Sequence, residues 1–178
     1  MKWALIIVGS LFSLIALIAL IGAMQPRDHV ATMTATIAAP ANTVWAALTE
    51  VAAYPTWRTG LKSVDVLSKP GAPLSWRETT SQGPMTFTAE AFEPPKRMVA
   101  RIMDEGQPFG GAWEYAVSAD SADAGKTRVT ITERGWVSNP IFRFVSRFMM
   151  GHYSTLDTYL RALSRKFGAE VAPARLST

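Results

Sequence analysis

Three ionisable side chains in this sequence could perform acid–base chemistry inside a folded domain. His152 stands on the apolar stripe of a C-terminal helical segment, where an imidazole could act as a general base or bind a polar ligand group. Glu78 is in strand phase with Trp76, and Glu133 is in phase with the apolar residues of its own strand, so either carboxylate could face a cavity. A packed histidine and rim carboxylates paired with arginine explain the same residues more simply. We therefore assign no catalytic residue and keep these three as candidates.

Residue types and motifs that are absent exclude several kinds of site. The 178 residues contain no cysteine, which excludes a disulfide scaffold, a zinc finger, a thiol nucleophile and an iron–sulfur cluster. The sequence also lacks a Gly-x-Ser-x-Gly nucleophile motif and a phosphate-binding glycine loop. His29 lies in a predicted linker, so the two histidines are not expected to share a metal ion. We predict no metal site and no cofactor.

A second set of side chains could form the wall of an apolar cavity. Several aromatic residues and a methionine share the apolar faces of predicted strands, and others lie on the helical stripe. Because aromatic rings dominate burial in any domain, these residues could equally form a closed core. The predicted ligand-cavity residues are Trp76, Met85, Phe87, Trp113, Tyr115, Phe148, His152 and Leu156.

The elements that would position these residues are short strands separated by turn residues, which is typical of an antiparallel meander. A first strand over 34–39 is followed by two short helices, and Pro55 disfavours helix at the end of the second. The further predicted strands cover 62–68, 74–81, 85–93, 97–103, 110–119 and 127–137.

A long amphipathic helix is predicted after the last strand. Asn139 is a suitable N-cap, Pro140 suits the first helical position, and Gly168 is a suitable terminator. Between them apolar residues recur at spacings of three and four, which predicts one uninterrupted helix of about 28 residues. We therefore predict an α+β fold in which a curved antiparallel sheet of about seven strands is wrapped around this helix.

The uncharged stretch 3–24 is long and apolar enough for a transmembrane helix. A cleaved signal peptide is the alternative, although the stretch is longer than a usual signal core. Lys2 and the terminal amine precede it, whereas Arg27 is followed by Asp28, so the positive-inside rule favours a single-pass protein with its domain on the exported side. The predicted divisions are an anchor over 1–24, a linker over 25–32, a folded domain over 33–168 and a flexible tail over 169–178.

The C-terminal part of the chain is basic. Residues 134–178 hold seven basic and two acidic side chains, which could attract an anionic lipid surface or form a solvated helix face. No zinc-finger, RNA-recognition or helix-turn-helix signature accompanies them, so we do not expect nucleic acid as a partner.

An ordered set of short motifs resembles the SRPBCC or START-like superfamily, whose members have a helix-grip fold and include polyketide cyclase/dehydrase-type proteins. The resemblance covers about residues 33–168 and implies a cavity between the sheet and the C-terminal helix. The motifs are Ile37-Ala-Ala-Pro40, Val44-Trp45, Tyr54-Pro55-Thr56-Trp57, Pro94-Pro95-Lys96-Arg97, Gly111-Ala-Trp113 and Lys126-Thr127-Arg128-Val129.

Together these observations favour a membrane-anchored, non-catalytic domain that binds a hydrophobic small molecule or lipid in that cavity. Two alternatives remain open: a cyclase/dehydratase-type enzyme that acts on a polyketide-like substrate, and an interaction module whose core is filled by its own side chains. Paired carboxylate–histidine geometry would favour the enzyme, and an open cavity with one or two polar groups would favour the binder.

Overall fold

A computed structural model describes residues 2–103, 106–123 and 125–177. An apolar helix is followed by a first strand, two short helices, six strands, a C-terminal helical segment and a last short strand. The helices are α1 (Lys2–Ala23), α2 (Ala41–Thr49), a 3₁₀ helix (Val51–Thr56), α3 (Pro140–Val145), a π-helical turn (Ser146–Met150) and α4 (Ser154–Lys166). The strands are β1 (Asp28–Ile37), β2 (Leu61–Val66), β3 (Ser75–Thr80), β4 (Gly83–Glu93), β5 (Arg97–Ile102), β6 (Phe109–Ala119), β7 (Thr127–Val137) and β8 (Ala174–Leu176).

The eight strands form one curved antiparallel sheet in the order β2-β3-β4-β5-β6-β7-β1-β8. Neighbours from β2 to β7 are also consecutive in the chain, which is the predicted meander, and β1 returns to pair with β7 along its whole length. Buried and accessible residues alternate along β7 because one face of the sheet covers the core. The predicted α+β helix-grip fold is confirmed.

The core lies between the concave face of the sheet and α4. Three leucines of α4, Leu156, Leu160 and Leu163, are fully buried against it. Removing each from water contributes about 1.5–3 kcal/mol before the cost of ordering the chain. The packing of α4 on the sheet is therefore a main contribution to the core.

The predicted uninterrupted helix over 140–167 is wrong at its centre. The chain leaves the π-helical turn at Gly151, whose φ of +73° lies in the left-handed region, and α4 begins three residues later. This break places Phe148 on the surface, packed against Phe144 and 56% exposed, rather than between helix and sheet. An unbroken apolar stripe would predict that a charge at Phe148 unfolds the domain. Because Phe148 is exposed, we do not expect that result.

Two boundaries of the predicted domain also differ. Residues 28–32 belong to β1 and pair with β7, so the predicted linker ends before Asp28. At the other end Ala174–Leu176 pairs with β1 as β8, which places an ordered strand inside the predicted flexible tail.

The last turn of α1 packs against α3. A side chain at Gly22 would overlap the Pro140 carbonyl, so glycine is required for this close approach. Arg143 Nη1 donates to the Gln25 carbonyl at 3.0 Å and to the Ala23 carbonyl at 3.5 Å. A cation at these carbonyls also complements the negative end of the α1 dipole.

Candidate functional site

An ion pair between Arg58 and Glu78 is buried where the 3₁₀ helix meets the edge of the sheet. The Arg58 backbone N–H donates to the Tyr54 carbonyl at 2.8 Å, which fixes the chain as it leaves the 3₁₀ helix. Arg58 Nη1 donates to Glu78 Oε1 at 2.5 Å, and Trp76 Nε1 donates to the same oxygen at 3.0 Å. Burial is the largest single influence and lowers the pKa of Arg58. The charge and hydrogen bond of Glu78, together with Tyr159 and Tyr115, raise the pKa by more in sum, so the guanidinium stays charged.

Two tyrosines contact this guanidinium, and a third, Tyr115, packs on one of them. The guanidinium Cζ lies 4.8 Å from the ring centroid of Tyr54 and 4.9 Å from that of Tyr159, which are cation–π distances. Burial raises the pKa of Tyr54 and Tyr115 well above the usual value and raises that of Tyr159 to about 12. All three hydroxyls therefore remain protonated near neutral pH and can act as hydrogen-bond donors.

A cavity of about 350 Å³ opens beside the cluster, between α4 and the sheet. Only one N–H group of Arg58 has a hydrogen-bond acceptor among the described residues. The buried Tyr159 hydroxyl lies close enough to the Tyr54 and Tyr115 hydroxyls to affect their pKa values, but it makes no hydrogen bond of good geometry to a described residue. The remaining Arg58 N–H groups are not among the buried unpaired atoms, so they are accessible to water or to a molecule in the cavity, whereas the Tyr159 hydroxyl is enclosed behind its ring. Residues around the cavity include Arg58, Leu61, Thr80, Trp113, Thr158 and Tyr159.

The arrangement combines two aromatic rings, set nearly perpendicular to each other, with the accessible N–H groups of Arg58. The Trp113 ring meets Tyr159 edge-on, with centroids 5.7 Å apart, and both rings line the cavity. A ring or acyl chain could pack on them while its oxygen accepts from Arg58. The same guanidinium could stabilise an oxyanion that develops during a reaction.

The sequence profile of the family described as polyketide cyclase/dehydrase and lipid transport matches residues 28–167. The chain belongs to this family. The match begins with β1 and extends past the end of α4, so it includes the whole helix-grip core and leaves out α1 and β8. The START-like resemblance of the sequence motifs is thereby confirmed.

Solved structures of the same fold include proteins of different kinds. The Zhui aromatase/cyclase from a Streptomyces species is 16% identical, with a TM-score of 0.62 over 79% of this chain and 94% of that one. A START superfamily protein from Mycobacterium smegmatis is 17% identical, with a TM-score of 0.61 over 79% and 97%. Norcoclaurine synthase from Thalictrum flavum is 11% identical, with a TM-score of 0.62 over 78% and 92%. At these identities the likeness establishes the fold alone.

No curated protein matches the chain by sequence.

The residues predicted to line a cavity are placed in three environments. Trp113 lines the cavity beside Arg58, and His152 lines a second cavity of about 590 Å³ on another side of the start of α4, with Ser154 lining both. Phe148 is exposed and lines neither of these two cavities. The remaining predicted residues are fully or partly buried and line neither of the two: Trp76, Met85, Phe87, Tyr115 and Leu156.

Sequence reasoning missed Arg58 and Tyr159 as functional residues. A signal for Tyr159 was present, because it is three residues after Leu156 on the same helical face. Arg58 follows the motif Tyr54-Pro55-Thr56-Trp57, and an arginine next to an aromatic cluster is a candidate for cation–π contact.

The other two catalytic candidates lie together, away from Arg58. The His152 ring stacks on the His29 ring with centroids 4.0 Å apart, and His29 Nε2 lies 3.3 Å from Glu133 Oε1. The pairing of β1 with β7 brings His29 next to Glu133, and the chain between the π-helical turn and α4 places His152 on the His29 ring. No group of at least three His, Cys, Asp or Glu side chains that could hold a metal ion occurs among the described residues.

This histidine pair predicts a pH-dependent stability. Burial, followed by the charges of His29 and Arg147, lowers the pKa of His152, while Glu133 partly raises it. The unfolded chain, in which the pKa is about 6.5, then binds the proton more tightly, so acidification below that value favours unfolding. We expect the melting temperature to fall more between about pH 7.5 and about pH 5 in the wild type than in His152→Gln. Thermal unfolding of both proteins in detergent, followed by circular dichroism, measures this; equal decreases would contradict it.

Proposed function

We propose that this chain is a membrane-anchored START-like protein that binds a hydrophobic small molecule or lipid in the cavity beside Arg58. The observation that carries the proposal is one cavity that combines the incompletely satisfied Arg58 guanidinium with the rings of Trp113 and Tyr159. A volume of about 350 Å³ is at the small end of ligand pockets in proteins. The favoured ligand therefore has an apolar ring or chain packed on Trp113 and an oxygen-bearing end at Arg58.

The anchor part of the proposal is supported by α1. One helix among the described residues, Lys2–Ala23, is long and apolar enough to cross a membrane, and its most apolar stretch is not buried by the domain. Packing at Gly22 and the Arg143 hydrogen bonds join α1 to the folded domain, which favours a retained anchor over a cleaved signal peptide. The positive-inside rule still favours an exported domain.

Binding of matched probes to the full-length protein in nanodiscs tests the cavity. The probes are 2-naphthoate, which has a ring and an anionic oxygen end, and 2-methylnaphthalene, which lacks the oxygen. We expect Trp113→Ala to weaken both probes by about tenfold or more, because the apolar wall is lost. We expect Tyr159→Phe to weaken naphthoate alone, by a factor of several, because one donor is lost.

Arg101→Met is the control for a substitution outside the cavity, and we expect it to leave the affinity for both probes unchanged. Arg101 is an exposed arginine that pairs with Glu90 on another strand. Isothermal titration of each variant, with folding checked by circular dichroism and empty nanodiscs subtracted, gives the affinities. If folded Trp113→Ala binds naphthoate as tightly as the wild type does, the proposed cavity is not the binding site.

The orphaned Tyr159 hydroxyl also favours a second candidate function, a cyclase/dehydratase-type enzyme. A protonated Tyr159 beside the Arg58 cation could stabilise an enolate-like oxygen in a polyketide-like substrate. Glu78 is less suited to act as a base, because Arg58 and Trp76 already donate to its carboxylate. Incubation with a poly-β-keto thioester, followed by mass spectrometry against the reaction in empty nanodiscs, separates the two functions. A binder leaves the spontaneous rate and products unaccelerated, whereas an enzyme accelerates the reaction and loses roughly 10²- to 10⁴-fold in turnover in Tyr159→Phe.

A further inference from the structure

The helical segment Pro140–Met150 carries an unusual amount of exposed apolar surface. It comprises α3 and the π-helical turn, and no residue in it is buried. Met149 is 75% exposed and Phe148 is 56% exposed, although both are large apolar side chains. Large apolar side chains exposed together in one short segment are typical of an interaction site in a native protein. The exposed large apolar residues are Ile141, Phe142, Phe148, Met149 and Met150.

The segment is basic, which favours a partner with an anionic surface. It contains Arg143 and Arg147, and no acidic residue occurs anywhere between Arg134 and Leu156. Arg143 is engaged with carbonyls at the end of α1, whereas Arg147 is exposed and takes part in none of the ion pairs between described residues. Apolar side chains next to arginines match the headgroup boundary of an anionic bilayer.

The segment packs against the end of α1, so the bilayer it would meet is the one that α1 spans. Pro140 and Phe144 pack on Gly22, in the last turn of α1. If α1 spans a membrane from Lys2 to Ala23, this turn lies at the boundary between the hydrocarbon and the headgroups. The segment that begins there is therefore held at the depth where an interfacial helix lies.

We propose that Pro140–Met150 is a second membrane contact, which lies in the interface of the bilayer that α1 spans and orients the domain against it. The proposal rests on the anchor part of the proposed function. The proposal also places the cavity that His152 lines near the membrane, because Arg147 and Met150 of the segment line the same cavity. The cavity then opens beside the lipid headgroups.

Site-specific fluorescence in the full-length protein tests the contact. Because the chain has no cysteine, single cysteines can be introduced and labelled with a nitrobenzoxadiazole dye without background. The variants are Phe148→Cys and Met149→Cys in the segment, Leu14→Cys in α1, and Phe92→Cys as a matched control. Phe92 is similarly exposed, but its ring packs on Trp45 of α2. The strand pairings place Phe92 level with Met33 of β1, about 15 Å along that strand from its first residue.

Each labelled protein is placed in nanodiscs of phosphatidylcholine and phosphatidylserine, and quenching by doxyl-labelled lipids is compared with quenching by aqueous iodide. We expect dyes at 148 and 149 to be quenched by the lipid label and to be several-fold less accessible to iodide than the dye at 92. Equal iodide access at 148, 149 and 92 would overturn the proposal, while a lipid-quenched dye at 14 would leave the anchor standing.

Two other results would also overturn it. Protection of 148 and 149 from both quenchers would mean that a protein surface, such as a second copy of the chain, covers the segment. A dye at Leu14 that lipid does not quench would remove the anchor itself, and the membrane part of the proposed function would fail with it. Probe binding in the Arg58 cavity is measured in a separate experiment. Failure of the anchor is therefore distinguishable from loss of ligand binding.

Discussion

Glu78→Gln should destabilise the domain by about 3 kcal/mol, because it leaves the Arg58 cation buried without its counter-charge. Glu78 is 6% exposed and the Arg58 side chain is 19% exposed, so water can screen the remaining charge only weakly. Glutamine retains an oxygen that can accept from Trp76 Nε1, so the loss reports on the charge rather than on that hydrogen bond. Urea unfolding of both proteins in detergent, followed by circular dichroism, measures the difference.

The control for this prediction is Glu90→Gln, because Glu90 also pairs with an arginine, Arg101, but both side chains are more than 40% exposed. An exposed pair contributes little, so we expect a change within about 0.5 kcal/mol there. The double variant Arg58→Met/Glu78→Gln should recover more than half of the loss, since no unpaired charge remains buried. Similar losses for Glu78→Gln and Glu90→Gln would show that the buried pair has no special role.

Gly111→Ala should be comparably damaging, with a loss of about 3 kcal/mol or more in the free energy of unfolding. Gly111 has a φ of +150°, and a β-carbon there would overlap the backbone of Arg134 and lie 2.8 Å from Gly135 Cα on the neighbouring strand. Strands β6 and β7 are paired along eleven residues, so they cannot separate locally to make room. Because Trp113 follows two residues later, naphthoate affinity should fall together with stability.

Gly83→Ala separates the cost of the backbone conformation from the cost of the overlap. Gly83 is also a strand glycine with a positive φ, +118°, but a β-carbon there would meet nothing within 4 Å. We expect a loss of only about 1 kcal/mol at that position, because the strain of the left-handed region acts alone. Differential scanning fluorimetry and urea unfolding compare the two variants, and equal effects would contradict the role assigned to the overlap.

Local patterns in the sequence determined most of the sheet. The bounds of β7 follow from the sequence alone, because alternation between a buried and an accessible face is visible within a single strand. The two short helices after β1 also follow from local signals, since Pro55 and the short apolar pattern act within a few residues. The uncharged N-terminal stretch predicts α1 for the same reason.

The break in the C-terminal helix depends on tertiary structure. Apolar residues recur at helical spacing on both sides of Gly151, so the periodicity contains no sign of the interruption. Gly151 can continue a helix or adopt its positive φ, and packing decides between them. In this fold α3 packs on α1 while α4 packs on the sheet, so the two helices cannot share one axis.

The candidate site was decided by topology as well. Arg58 and Glu78 are 20 residues apart, and His29 and His152 are 123 apart, so no spacing in the sequence indicates that either pair would meet. What the sequence by itself determined is the set of elements and the apolar character of their faces, because those depend on neighbouring residues. Which polar groups remain without partners, and therefore where a ligand could bind, depends on contacts between distant strands and helices. Only the folded arrangement of β3, the 3₁₀ helix and α4 brings Arg58 and Tyr159 to the same cavity.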